Sequence, residues 1–478
     1  MEITFNYIRN RIREHSKQDL LQACYNILDD KKDEKSKPLW YIFLLMKWTY
    51  LYGGQKYPSK PLTQQNISNI FKSITELNKD YIGNYIGSGE ILRAFHILYS
   101  QQFYLQTYVT IDKFATQLKL YCTLKSKYDI DKSFLSTTGF SILDFLKIMQ
   151  LTWLCINIGK LKKPRLYFNG YLEDDFLRAI SKFTEKEKVI KFLQLLVLDP
   201  VNPNEKIKQF KQGLRNEEYQ SLEKSFFTLY PFQYFNSKIR VIHSSIFNYT
   251  ANYYIYDYLK SNDDQFTTEF GLRFEKYIEC GIKELKYAYI TEKGLKERLP
   301  KNSNLVDFYI EESNIFIECK AVELQPYPSS NPSDDVIYNS LKDSLIKAYF
   351  NQLLPVSKIL KGKDENWGII LTYKKLYWGQ YTDLYNLGIK NQKEKIDSTH
   401  LPPENVFLID IHTWDRIVNI ITDEKTSLLE ILKLAKRNNS KPETFKQNFD
   451  MHLDNFKRNP LKLSYLQKER EELNLVVK

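Results

Sequence analysis

Leu305-Val306-Asp307-Phe308-Tyr309-Ile310, Glu311-Glu312-Ser313-Asn314 and Ile315-Phe316-Ile317-Glu318-Cys319-Lys320-Ala321 read in succession as a β-hairpin. Two β-rich runs flank a polar turn. Asp307, Glu318 and Lys320 interrupt strands that are otherwise apolar. If Ile310 pairs with Ile315, Asp307 lies directly opposite Glu318, and Lys320, two residues on, points to the same face. Two carboxylates facing each other on one sheet surface repel. A divalent metal with a neighbouring lysine would relieve that repulsion.

Working outward, the hairpin sits in a mixed α/β region. A helix is expected from Phe270 to about Lys286. After the hairpin comes a Pro- and Ser-rich loop, Gln325 to Pro332. A helix from Val336 to about Leu354 follows, with Ser333 as N-cap and Asp334 and Asp335 in its first turn. Strands are expected at Trp367 to Tyr373 and Val406 to Ile411, then a helix capped by Thr413. The divisions read as 1–235, mostly helical; 236–265, a hairpin and linking helix; 266–422, the α/β domain; and 423–478, a helical extension. In the first of these, apolar periodicity marks helices near Leu20 to Ile27, Leu39 to Leu51, Glu90 to Leu105, Ile142 to Ile158 and Val189 to Leu198. Breakers at Gly53-Gly54, Lys163-Pro164 and Asp199-Pro200 separate them. A short hairpin is expected across Pro231 to His243.

Two polar side chains lie on the helices flanking the strands. Glu275, in Phe270-Gly271-Leu272-Arg273-Phe274-Glu275, falls at the edge of an apolar stripe through Phe274, Ile278 and Ile282. Gln352 stands near the middle of a stripe formed by Tyr338, Leu341, Leu345, Tyr349 and Val356. A polar group in that place needs a partner. Glu279 lies farther from its stripe, and Tyr349 is a candidate for stacking or phosphate contact.

The order is helix with Glu275, strand with Asp307, strand with Glu318-Cys319-Lys320, then helix with Gln352. It resembles the PD-(D/E)xK phosphodiesterase superfamily, over roughly residues 266 to 420. Val306 stands where the namesake proline would be. The resemblance implies a restriction-endonuclease-like fold, a mixed central sheet flanked by helices, and a Mg2+-dependent endonuclease in which Mn2+ can substitute. It implies Asp307 and Glu318 as metal ligands with the Cys319 backbone carbonyl as a third. Glu275 would contact the metal through water, Lys320 would act on the attacking water, and Gln352 would face the site. The chemistry fits: magnesium takes oxygen ligands and keeps several waters, so one or two carboxylates suffice.

A net charge of +11 over 478 residues fits an anionic partner. DNA is favoured over RNA. The layout is also similar to that of bacterial restriction and anti-phage defence effectors. Cutting both strands takes two sites, from a homodimer or a partner protein, whereas a nickase needs one. The alternatives left open are an RNA-cleaving enzyme of the same fold and a binding or assembly protein on a nuclease-derived scaffold. Five cysteines with no Cys-x-x-Cys pair argue against a disulfide framework or zinc ribbon, and point to the cytoplasm. Neither a signal-peptide core nor a membrane span is expected, because the most apolar helix carries Asp144, Lys147, Gln150 and Asn157. No Gly-x-x-x-x-Gly-Lys-Ser/Thr or deaminase signature is present. Asp410-Ile411-His412 reads as a strand-to-helix turn. Asp174-Asp175 and the basic run Lys160 to Arg165 have no matching partners at recognisable spacing; a solvated face is the default for the basic run, with phosphate contact as the alternative.

Overall fold

The computed structural model describes residues 3–30, 38–54, 59–87, 98, 104, 108–161, 171–172, 174–198, 206–207, 221, 225–236, 238–322, 333–360, 365–376, 378, 381–392, 396–424 and 426–473. The helix expected over Glu90 to Leu105, the breakers Lys163-Pro164 and Asp199-Pro200, the loop Gln325 to Pro332 and most of the Lys160 to Arg165 run fall largely or wholly outside them.

The chain is mixed α/β and divides into two compact units. The first gathers Met1–Val109 and Asp144–Tyr258. Its helices Phe5–Arg13 and Lys17–Asp29 begin at Thr4 and Ser16, whose side chains accept the Tyr7 and Asp19 amides. Leu39–Tyr52 is apolar on nearly every side and correspondingly buried. A small sheet is ordered β1 (Tyr171–Leu172), β4 (Lys238–Val241), β3 (Phe232–Phe235), β2 (Val197–Leu198). The β3/β4 hairpin is the one expected from sequence, and it continues into a helix at Ser244–Asn262.

The second unit gathers Thr110–Leu143 with most of the chain from Leu259 onward. These units cut across the boundaries read from sequence. Thr110–Leu143 joins the sheet unit because the buried Arg273 guanidinium donates to the Tyr121 and Tyr128 carbonyls, at 2.5 and 2.6 Å. Residues past 423 join it too: Tyr465 Oη donates to Asp415 at 2.7 Å and Arg470 Nε to Asp112 at 2.6 Å. Residues 236 to 258 belong to the first unit, where β4 pairs with β3.

Five strands form the second sheet in chain order: β5 (Ile290–Thr291), β6 (Phe308–Ile310), β7 (Ile315–Lys320), β8 (Trp367–Thr372) and β9 (Val406–Asp410). β5/β6 and β6/β7 are antiparallel; β7/β8 and β8/β9 are parallel. Parallel pairing needs crossovers, and the helical segments Asp334–Ile359 and Tyr381–Lys390 supply them, sharing one apolar cluster with Phe316 and Ile370. The other face is covered by the helices Phe266–Glu284 and Ile411–Asp423. Gly281 permits their close approach, since a Cβ there would run into the Trp414 indole.

Two local expectations are corrected. The segment after the hairpin is not one regular helix: Asp334–Leu341 and Leu354–Ile359 are joined by wide π-helical turns, Lys342–Ile346 and Ala348–Leu353. Pro355 has no N–H to give the Asn351 carbonyl, which favours a break in the regular ladder just before it. The helix after β9 is capped by Asp410 and not by Thr413, and starts at Ile411. Among the described residues no single helix is long and apolar enough to cross a membrane.

Candidate active site

The β6/β7 register pairs Ile310 with Ile315, Tyr309 with Phe316 and Phe308 with Ile317. Asn314, at φ 50°, closes the turn and accepts from Tyr309 Oη at 3.0 Å. Ile315, Phe316 and Ile317 are fully buried in the middle of the sheet. Burial of such side chains contributes about 1.5–3 kcal/mol each. A one-residue slip would turn them to the wrong faces, so the register is strongly specified.

Regular pairing stops at Phe308 and Ile317. Asp307 stands one residue before β6, and its Oδ2 accepts the Cys319 N–H at 2.6 Å. A side-chain carboxylate thus takes the place of a backbone acceptor where the strands part. An extended residue directs its N–H and C=O to the same neighbour, so the Cys319 carbonyl is aimed at the Asp307 side too. The Asp307 carbonyl accepts the Glu292 N–H at 2.9 Å, which fixes the short helix Glu292–Arg298 beside the site.

Glu318 is only 1% exposed. Its Oε1 receives Lys320 Nζ at 2.5 Å and Gln352 Nε2 at 2.5 Å. Gln352 Nε2 also lies 3.4 Å from the Leu305 carbonyl. Glu318 Oε2 and Gln352 Oε1 are buried and without a hydrogen-bond partner. Such orphaned acceptors are rare and costly in folded proteins. Burial pushes the Glu318 carboxyl up, and the facing Asp307 charge adds to the rise. Asp307 is raised as well, by burial, with the Cys319 N–H opposing. Glu275 is pushed up to about 7, by burial first and then by Asp307 and Glu292. Burial pushes the Cys319 thiol up, and the Asp307 and Glu318 charges add to the rise.

The structure therefore brings Asp307, Glu318, Lys320 and Gln352 into one group, with Glu275 near enough to Asp307 to feel its charge. Glu292 was missed; it opens a helix too short for its periodicity to register in the sequence. Other candidates fall away. Tyr349 is fully buried and donates to the Leu401 carbonyl at 2.6 Å, which leaves no ring face for a base. Glu279 accepts from Tyr289 Oη at 2.7 Å and pairs with Lys283 at 2.8 Å. Asp410 uses both oxygens as a helix cap, on the His412 and Thr413 amides and the Thr413 hydroxyl. Burial drives the pKa of the His412 imidazole down. Asp174 and Asp175 open the helix Asp174–Ile180 in the other unit.

Among the described residues no three His, Cys, Asp or Glu side chains are gathered closely enough to cage a metal. Magnesium requires less: one or two carboxylates, with water and a carbonyl completing the shell. Asp307, the orphaned Glu318 Oε2 and the Cys319 carbonyl meet that requirement. No family model matches the chain, nor does any curated protein or solved structure.

Proposed function

We propose that the second unit is a restriction-endonuclease-like nuclease domain that hydrolyses phosphodiester bonds with the help of magnesium, DNA being the first substrate. The single observation that carries this reading is the buried, unpartnered Glu318 Oε2 beside Asp307. Lys320 pairs with the other oxygen of Glu318, but a buried carboxylate oxygen left without a donor is costly, and a hard cation is a partner that it and Asp307 suit. The order helix, three antiparallel strands, helix, parallel strand supports it as architecture.

Bound between Asp307 and Glu318, magnesium would neutralise charge on the phosphate and acidify the attacking water. Lys320 lies on the same face as Glu318 and offers a cation to the charge developing on the phosphoryl oxygens. Glu275, poised near neutrality, accepts a proton at working pH. Gln352 clamps one oxygen of Glu318 and leaves the other for the metal. The first unit, with no recognisable chemical motif of its own, is assigned to substrate recognition or to partners.

Plasmid, linear duplex, single-stranded DNA and RNA, each incubated with the protein in Mg2+ and in EDTA, test the reading. Cleavage in Mg2+ alone supports it, and the preferred polymer names the substrate. Binding without cleavage across metals and polymers overturns it in favour of a scaffold.

A further inference from the structure

The helix Phe266–Glu284 packs on β7 and carries Glu275. At 3.6 residues per turn, Arg273, Tyr277 and Glu284 lie about 160–200° around the axis from Glu275. Each of the three is held by a segment distant in sequence. The Arg273 guanidinium donates to the Tyr121 and Tyr128 carbonyls at 2.5 and 2.6 Å. Glu284 Oε1 accepts the Ser464 amide at 3.0 Å. Between them, Tyr277 Oη lies 2.9 and 2.8 Å from the two Asp415 oxygens and 3.0 Å from Thr116 Oγ1. Tyr465 Oη donates to the same carboxylate at 2.7 Å. Asp415, Tyr277 and Thr116 are all buried.

Apolar contacts alone would hold this helix against the sheet, but they are non-directional. Hydrogen bonds to a buried carboxylate specify one arrangement, here the rotation of the helix about its axis and its position along it. The clamped face is the back of the element that presents Glu275, whose carboxyl is close enough to Asp307 to feel its charge. A side-chain carboxyl stands about 6 Å from the helix axis, so about 10° of rotation moves it by about 1 Å. A displacement of about 1 Å at a reacting group costs up to about a hundredfold in rate.

We propose that Tyr277, held by Asp415, is a positioning residue: it sets the rotation of its helix and so the place of Glu275 beside Asp307. The inference rests on the nuclease reading. It adds a role for two segments remote from the hairpin in sequence, those carrying Thr116 and Tyr465, which complete the grip on Asp415.

The test is a double-mutant cycle on the full chain: parent, Tyr277→Phe, Glu275→Gln and the two combined. Tyr381→Phe is the control. Tyr381 Oη donates to the Leu345 carbonyl at 2.8 Å, so that variant loses a buried hydroxyl bond in the apolar layer on the other face of the sheet. Single-turnover cleavage of duplex DNA and of RNA is followed in Mg2+, and Mg2+ binding is titrated calorimetrically without substrate. With Glu275 in place, Tyr277→Phe is expected to cut about 10- to 100-fold more slowly and to bind Mg2+ more weakly, with circular dichroism and substrate affinity as in the parent. With Glu275→Gln the same change costs less than about twofold, because the group it positions is gone. Tyr381→Phe cuts at the parental rate. Should Tyr277→Phe not fold, Tyr465→Phe is read through the same cycle. A parental rate in Tyr277→Phe, an equal loss in both Glu275 backgrounds or an equal loss in Tyr381→Phe overturns the positioning role, while cleavage by the parent leaves the nuclease reading standing. A parent that cuts neither polymer overturns both.

Discussion

Lys320 Nζ and Gln352 Nε2 meet at one atom, each 2.5 Å from Glu318 Oε1. They come from a strand and from a π-helical turn, 32 residues apart in sequence by their numbers. Together they saturate one oxygen of a buried carboxylate and leave Oε2 without a donor. The arrangement discriminates between the two oxygens: one is anchored, the other is available to a cation.

The first prediction concerns Asp307→Asn. The amide oxygen still accepts the Cys319 N–H, but the charge facing Glu318 is gone. Without metal the variant is expected to be at least as stable as the parent, because a carboxyl whose charged form burial disfavours has been replaced by a neutral amide. Thermal melts with added Mg2+ then separate the two proteins. The parent melts higher as the cation binds the folded form, and the variant gains little. Equal gains would remove Asp307 from the metal site.

A second prediction follows from the raised carboxyls. Glu275 moves from the ordinary 4.5 to about 7, and Glu318 is also raised, both chiefly by burial. In the unfolded chain both ionise in the ordinary carboxylate range. Without metal the folded protein therefore holds more protons than the unfolded chain from about pH 4.5 upward to 7 and beyond. The stability these groups contribute is fully present below that window and is lost as pH rises through it. Mg2+ competes with those protons, so its affinity rises with pH over the same interval. Calorimetric titration with Mg2+ at pH 5.5, 6.5 and 7.5 checks this; an affinity flat in pH contradicts it.

Gln352→Ala tests the clamp. Removing the amide frees Glu318 Oε1 from one of its two donors without touching the charges. A loss of about 10- to 100-fold in cleavage or metal affinity is expected, the usual scale for a group that orients a metal ligand. Circular dichroism is expected to remain that of the parent. Full activity would make Gln352 a packing residue only.

Asp415 supplies a purely structural prediction. It is buried, and its carboxylate accepts from Tyr277 and Tyr465 at 2.9 and 2.7 Å and from Thr116 at 3.3 Å. Asp415→Ala removes the acceptor shared by the Tyr277, Tyr465 and Thr116 hydroxyls, leaving Thr116 and Tyr277 only each other at 3.0 Å. A cost of about 3 kcal/mol in a urea melt is expected, at the upper end for groups left unsatisfied. Asp415→Asn keeps an acceptor and costs less. If the two variants melt alike, the network is not what ties the 110–118 and 464–473 segments to the sheet unit.

The hairpin was legible in sequence because two β-rich runs flank a short polar turn, Glu311 to Asn314. Its register then followed, and with it the placing of Asp307 opposite Glu318. Gln352 was legible because it broke an apolar stripe. The stripe implied a regular helix, however, and periodicity alone does not reveal the wide turns ahead of Pro355. The attachment of 110–143 to the sheet unit was not legible. It depends on Arg273 and Asp415 meeting backbone and hydroxyl groups more than a hundred residues away, and side chains of that kind leave no periodic trace. Two-residue strands such as β1, β2 and β5 are too short to carry an alternation.

The most direct test of the central claim is the single-turnover cleavage rate of the preferred polynucleotide in Mg2+, for the parent, Asp307→Ala and Lys320→Ala. If Asp307, Glu318 and Lys320 form the centre, the parent cuts and each variant is slower by about a thousandfold or more, equivalent to roughly 4 kcal/mol of barrier. Cleavage that survives both substitutions at the parental rate would contradict the account.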